Sequence, residues 1–459
     1  MEKTTIFDIV IKLLEQRKFA ELKLIMQQMN PTDIASIFDE AEAKDVPIIF
    51  RLLPKELAAE TFAYLESEQQ EQLINAFSDK EIKEMVNELF LDDTVDIIEE
   101  MPASVVSRIL KNTDEATRRQ INELLAYPDD SAGSLMTPEF VYLGKDMTVG
   151  EAFAKIRQVG VAKETIYTCY VTQERKLIGV VSLLELVTAS DNTKIEEIMS
   201  ENLISVGTKE DKETVATTLA KYDLLSLPVV DGENRIVGIV TVDDAIDVLQ
   251  EENTEDIEKM AAIVPSDKPY FRTGVFETFL KRIPWLLLLM VSATFTGMII
   301  TGFEDKLSAS VGVGIALTAF IPMLMDTGGN AGGQASVTII RGLSLGDIEL
   351  RDVFKVIWKE IRVSLLCGVV LAVTNFGKIM LVDRLLLGNE SITVMVALVV
   401  CITLVLAVFI AKLIGCSLPI AAKAIGFDPA VMASPFITTI VDAISLLAYF
   451  LIAQTLLHI

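Results

Sequence analysis

The chain has 459 residues, with 65 acidic against 40 basic side chains and a formal net charge of −25, yet its mean hydropathy is +0.44. That pairing excludes one soluble globule, and the acidic balance leaves no basic footprint for nucleic acid. Residues 285–459 hold 11 acidic and 10 basic side chains, a net of −1, which leaves −24 to the first 284 residues. Two solvents are implied, water for the first part and lipid for the second. Cys169, Cys367, Cys401 and Cys416 show no metal-ligand spacing, and the only histidine is His458. Zinc, copper and iron–sulfur sites need clustered thiolates or imidazoles, so any metal used here is a hard one bound by oxygen.

The N-terminal stretch carries Glu2, Asp8 and Glu15 where a secretory signal needs a basic start and an uncharged apolar run. Ile6, Ile9, Val10, Leu13 and Leu14 are spaced as the apolar face of a helix. Residues 1–128 contain no glycine, and helix-start signals recur at Pro31, Pro54, Ser78 and Pro102, 23 to 24 residues apart. A repeat of that length predicts stacked helix pairs in a small solenoid, with an irregular bundle as the alternative.

After Tyr127-Pro-Asp-Asp, short strand-type runs alternate with helical ones, and the block occurs twice. Leu135-Met-Thr-Pro is echoed by Ile198-Met-Ser-Glu. Leu177-Ile-Gly-Val-Val-Ser is echoed by Ile236-Val-Gly-Ile-Val-Thr, with Gly179 and Gly238 59 residues apart. These blocks, about 130–190 and 194–250, resemble a tandem pair of CBS domains, an α/β fold that commonly pairs up and often binds adenine nucleotides. Residues 251–270 form a charged helical connector that breaks at Pro265.

Five apolar segments follow within 271–459: 285–303, 309–325 continuing as a broken element to 340, 361–382, 392–414 and 431–453. Each is near the ~20 residues that span ~30 Å of hydrocarbon. Lys281, Arg282, Arg341, Arg351, Lys355, Lys359, Arg362, Lys412 and Lys423 crowd the loops of one side, with Lys306 and Arg384 on the other. The positive-inside rule then puts the first half in the cytoplasm and the C-terminus outside.

Asp442 sits near the middle of the last span. A carboxylate there costs about 2.5–3.5 kcal/mol on insertion scales, so it faces a partner or water rather than lipid. A cation site and a helix-to-helix hydrogen bond both answer that need; Thr438, one turn earlier, adds oxygen to the same face. In Pro322-Met-Leu-Met-Asp-Thr-Gly-Gly-Asn-Ala-Gly-Gly-Gln, proline and four glycines interrupt an apolar run. Irregular backbone beside a wet cavity explains this, and so does close small-residue packing. Asn330 and Gln334 favour a polar lining, with Pro322, Gly329 and Pro435 beside them.

Three carboxylates recur on helical faces at Asp92, Asp96 and Glu99 and at Asp244, Asp247 and Glu251, and Glu252, Glu255 and Asp256 continue the second set. Like charges so spaced destabilise a helix unless neutralised. A solvated face is the alternative to a cation site.

Gly-Gly-Asn-Ala-Gly-Gly-Gln (328–334), Arg341-Gly-Leu-Ser-Leu-Gly-Asp-Ile and Gly426-Phe-Asp-Pro-Ala…Pro435-Phe-Ile-Thr-Thr-Ile-Val-Asp resemble the MgtE family of Mg²⁺ channels or transporters over essentially the whole chain. The resemblance implies an all-α helical-repeat domain at 1–128, tandem CBS domains at 129–250, a connecting helix at 251–270 and a five-helix transmembrane domain at 271–459. It also implies a homodimer in the bacterial inner membrane, with the pore between subunits lined by the second and fifth spans. Asp442 matches the pore carboxylate, with the main chain around Thr438 beside it, and Asp428 matches the aspartate at the cytosolic mouth. The family's cytosolic Mg²⁺ ligands fall on Glu60, Asp92, Asp96, Asp244, Asp247, Glu252, Glu255, Asp256 and Asp428.

Mg²⁺ sheds water reluctantly, and a pore with one carboxylate per subunit plus neutral oxygens suits a mostly hydrated ion. ATP at the CBS pair is a further implication, with Thr241-Val-Asp-Asp244 as its ribose end. A secondary transporter of broader Co²⁺ or Mn²⁺ selectivity is the rival function. Nothing in the chain has the nucleophile–base pair or phosphate loop of an enzyme.

Overall fold

A computed structural model of the protein describes residues 6–42, 44–266, 270, 273–308, 311–432 and 434–457; His458 and the Lys306 side chain lie outside the described part. The chain divides into two compact units, Met1–Leu249 and Gln250–Ile459.

Ten helices open the first unit: α1 (Ile6–Glu15), α2 (Phe19–Met26), α3 (Pro31–Glu40), α4 (Val46–Phe50), α5 (Lys55–Ala63), α6 (Ser67–Ala76), α7 (Asp79–Val86), α8 (Leu91–Glu100), α9 (Ala103–Asn112) and α10 (Glu115–Leu124). The start signals act locally. Ser78 and Glu81 form a reciprocal capping box at α7, and Asp114 accepts from two backbone N–H groups at α10, satisfying donors that a helix leaves free. From α3 onward each helix packs on the one two places along, α3 on α5 on α7 on α9 and α4 on α6 on α8 on α10. Two rows of helices therefore stack into the expected solenoid, around Phe38, Phe50, Phe62 and Phe77.

The repeated block follows as α11 (Ala132–Leu135), β1 (Tyr142–Gly144), α12 (Val149–Val159), β2 (Thr168–Gln173), β3 (Lys176–Ser182) and α13 (Leu183–Thr188). Its second copy is α14 (Ile195–Ile198), β4 (Val206–Gly207), α15 (Lys212–Lys221), β5 (Ser226–Val230), β6 (Ile236–Thr241) and α16 (Val242–Met260). Each copy has a three-stranded sheet, β1-β2-β3 and β4-β5-β6, with one parallel and one antiparallel pairing. The copies exchange their leading segments. Thr137 pairs with Ile239 and Ser200 with Val180, which seats Met136 against Gly238 and Met199 against Gly179. A Cβ on either glycine would lie 2.7 Å from the methionine sulfur.

In the second unit the long helices are α17 (Val275–Ser308), α18 (Val311–Ser344), α19 (Val353–Lys378, continuing as a π-helical stretch Ile379–Leu386), α20 (Val394–Ala424) and α21 (Ser434–Leu457). Four stretches, Val275–Phe303, Leu350–Leu386, Val394–Ala424 and Pro429–Leu457, are long and apolar enough to cross a membrane. α18 is as long but less apolar, because Asp326, Asn330 and the glycines dilute its described residues.

Two expectations are corrected here. α18 is unbroken through Pro322 and the glycine run, because the glycines sit where α20 and α21 press close and packing outweighs their low helix propensity. Lys412 is no loop residue: it lies inside α20, 6 % exposed, with its ammonium 3.7 Å from the carboxylate of the buried Glu360 on α19.

Candidate functional site

Three places collect the candidate residues. The first is the seam between α18 and α21. A Cβ on Gly329 would lie 2.9 Å from Thr438, one on Gly328 3.1 Å from Val441, and one on Gly332 2.9 Å from Ile437. The numbers rise on α18 as they fall on α21, so the two helices run antiparallel in contact. Gly329 is buried here and gives close approach, whereas Pro322, Asn330 and Gln334 are exposed on the chain and Pro435 is half-buried. Next along the seam, Asp442 Oδ1 and Ser445 Oγ are buried with no hydrogen-bond partner among the described residues. Asp326, two residues before Gly328, lies close enough for its charge to act on Asp442. Asp326 was visible in the sequence, but only the pairing of α18 with α21 brings it to the level of Asp442.

The second place is the end of α18 and the loop before α21, where the tail of α16 docks. Lys259 Nζ lies 2.5 Å from Glu255 and 2.7 Å from Asp428. Burial works against its charge, but hydrogen bonds to Asp428 and Glu255 outweigh it and hold the ammonium above the usual lysine range. Burial first, then the Asp428 charge, pushes Asp256 up, and Ser344 Oγ donates to it at 3.4 Å. Arg341 donates to Asn253 at 2.7 Å, and Met260 packs on Ile340 and Ala430. Asp428 is held by the Ala430 N–H at 2.8 Å, and Lys423 caps α18 through the Leu343 carbonyl at 2.9 Å. Glu252 is half-buried on the same helix. Lys259 was overlooked in the sequence because it is one basic residue in an acidic run.

The third place lies within the first unit, where α8 faces the CBS repeats. Asp92, Asp93 and Asp96 of α8 meet Glu139, Glu164, Asp243 and Asp244. Burial is the largest cause of the shifts at Asp92, Asp93, Asp96, Glu164 and Asp244, and repulsion from neighbouring carboxylates adds to it. Asp92 and Asp244 are pushed up to about 7, Asp93 to about 6, and Asp96 and Glu164 to about 8. Asp96 is open to solvent on one side, and the surrounding protein and charges still act on it. Thr241 Oγ1 donates to Asp244 at 2.6 Å and the Leu91 N–H to Glu139 at 3.3 Å, each partly offsetting the shift. Asp92 Oδ1 and Glu164 Oε2 are buried with no hydrogen-bond partner among the described residues. Glu60 and Asp247 stand exposed. Asp93, Glu139, Glu164 and Asp243 went unnoticed in the sequence because separate segments supply them and only the fold gathers them.

Among the described residues no three carboxylates converge tightly enough to grip a bare ion.

Family models match along the chain: one described as the MgtE intracellular N domain at 29–130, CBS domains at 132–192 and 195–251, and a divalent cation transporter at 321–452. The chain is 37% identical to the magnesium transporter MgtE of Thermus thermophilus over 95% of both chains. The chain belongs to the MgtE family. A second MgtE, from Bacillus subtilis, is 33% identical over 98% of this chain and 97% of its own. The structure of the cytosolic domain of the Mg²⁺ channel MgtE in complex with ATP is 36% identical, covers 52% of this chain and 98% of its own, and superposes with a TM-score of 0.50. The soluble part of a magnesium transporter is 31% identical, covers 54% and 97%, and gives 0.51. MgtE proteins are transporters and not enzymes. Asp326, Asp428 and Asp442 fall inside the divalent cation transporter match, while Asp92 and Asp96 fall in the MgtE N domain and Asp244 and Asp247 in the second CBS match.

Proposed function

We propose that this chain carries Mg²⁺ across the plasma membrane into the cytosol, as a homodimeric channel or transporter closed by cytosolic Mg²⁺. One observation carries the reading. Asp442, eight residues into the last membrane helix, is half-buried beside the glycine face of α18, and its Oδ1 is buried and unpartnered among the described residues. A charge so placed is costly unless it meets a cation or water. Thr438 and the neighbouring main chain supply neutral oxygen, so a hydrated divalent ion is attracted without being trapped. The names of the full-length relatives support Mg²⁺ as cargo.

α18 counts as the fifth span in this reading, so the CBS side is cytoplasmic and the C-terminus outside. Arg341 and Lys423 lie at the same end of the bundle as the docked tail of α16, in keeping with the positive-inside rule. Apolar side chains left exposed on α13, Leu184 and Val187, support pairing with a second copy.

Closure belongs to the two acidic places. Each accumulates repulsion that a divalent cation relieves, so Mg²⁺ favours the arrangement that brings the carboxylates together. Glu60, Asp92, Asp96, Asp244 and Asp247 serve the first and Glu252, Glu255, Asp256 and Asp428 the second. ATP at the CBS pair would place its ribose at Asp244, supported by the ATP complex of the related cytosolic domain.

The deciding experiment is Mg²⁺ flux into proteoliposomes. Asp442→Ala and Asp442→Asn are expected to abolish flux with folding and dimerisation intact, since both remove the charge and the second keeps the shape. Normal flux through well-folded Asp442→Ala would end the assignment.

A further inference from the structure

α18 carries a polar stripe at four-residue spacing. Pro322, Asp326, Asn330, Gln334 and Thr338 are all exposed, while Ala331, Gly332, Ala335 and Ser336 between them are buried. Residues four apart adjoin on a helix surface, so the stripe is a continuous ridge that winds slowly around α18. Asp326 stands roughly midway along the 34-residue helix. An exposed carboxylate at that depth does not tolerate lipid, so the strip faces water or another polar surface.

The register with α21 places it further. Gly332 lies against Ile437, Gly329 against Thr438 and Gly328 against Val441 and Ser445. Continuing one step brings Asp326 level with Asp442, within reach of its charge. Beside them the buried oxygens of Asp442 and Ser445 have no partner among the described residues.

We propose that Asp326 is a second carboxylate of the ion path, level with Asp442 on the water-facing strip of α18, so that each chain meets a hydrated divalent cation with two negative charges. The inference rests on Asp442 lining the path. Its consequence is selectivity. The attraction scales with ion charge, so removing one carboxylate costs a divalent ion twice the free energy that it costs a monovalent one.

The test is Mg²⁺ and Na⁺ flux in proteoliposomes of the full chain, comparing Asp326→Asn, Asp326→Glu and Asp442→Asn. Asp326→Asn is expected to raise the half-saturating Mg²⁺ on the order of tenfold but that for Na⁺ only about threefold, the square root expected for a unit charge. Asp326→Glu should restore most of the difference. A purely structural role would move both ions alike and would not be rescued by glutamate. Unchanged half-saturation in folded Asp326→Asn, with flux lost in Asp442→Asn, overturns this proposal and leaves the path intact. Undiminished flux in Asp442→Asn overturns the path and this proposal with it. If Asp326→Asn does not fold, Asp326→Cys in a chain with its four native cysteines replaced decides. Labelling by a membrane-impermeant thiol reagent, slowed by Mg²⁺, supports the proposal, and absence of labelling in the folded protein overturns it.

Discussion

At the scale of single residues, Lys259 alters what the carboxylates around it can do. Its ammonium bridges Glu255 and Asp428, two of the carboxylates that the proposed gate assigns to Mg²⁺. The docked tail of α16 therefore has a built-in cation, and in the proposed gate Mg²⁺ competes with it or adds to it. Both partners retain partial solvent contact, so the pair contributes at most about 1 kcal/mol. Lys259→Met should then raise the open probability at nominally zero Mg²⁺ by roughly fivefold, read in inside-out patches. An unchanged open probability would show that the contact does not hold the gate. Asp428 and the acidic run of α16 are legible in the sequence. The lysine between them is not, because a basic residue three or four places from an acid ordinarily forms an exposed pair of little consequence.

At the scale of elements, the packing of α18 on α20 depends on two glycines touching. A Cβ on Gly415 would overlap the Gly332 carbonyl, and one on Gly332 would lie 3.1 Å from the Ala411 carbonyl. Neither obstacle is a flexible side chain, so an added methyl group forces the helices apart at a typical cost of about 1–3 kcal/mol. Gly415→Ala should lower the melting temperature of the detergent-solubilised protein by several degrees and reduce flux with it. Gly297→Ala on α17, where an added Cβ meets nothing within 4 Å, should melt at or slightly above the parent, because alanine favours the helix. Equal melting temperatures for the two variants would contradict the tight α18–α20 contact. The four-residue glycine spacing was readable beforehand. Its use as packing within an unbroken helix was not, since the same residues also suit a broken element beside a cavity.

At the scale of the whole molecule, the acidic cluster of the first unit ties stability to pH and to cations. Asp92, Asp93, Asp96, Glu164 and Asp244 titrate between about 6 and about 8, against about 4 in an unfolded chain. The folded unit thus holds more protons than the unfolded one across that window, so stability is highest below pH 4 for these groups and falls as pH rises through about 8. Residues 1–249 form a compact unit, and their melting temperature should drop from pH 5 to pH 8 without Mg²⁺. Added Mg²⁺ should restore it at pH 8 and do little at pH 5, where protons already neutralise the cluster. A melting temperature that rises with pH in the absence of Mg²⁺ would refute the cluster.

The division into an acidic helical-repeat and CBS half and an apolar helical half followed from the sequence alone, because charge density, hydropathy and short-range periodicity are local properties. Family membership was equally legible in runs such as 328–334 and 435–442, where residue order itself is the signal. The tertiary structure decided which distant side chains act on one another: Asp326 on Asp442 through its charge, Lys259 on Asp428 through an ion pair, and Glu139 and Glu164 on the face of α8. Those encounters depend on helix register and on reciprocal exchange between the CBS repeats, and both are settled by packing between segments tens to hundreds of residues apart.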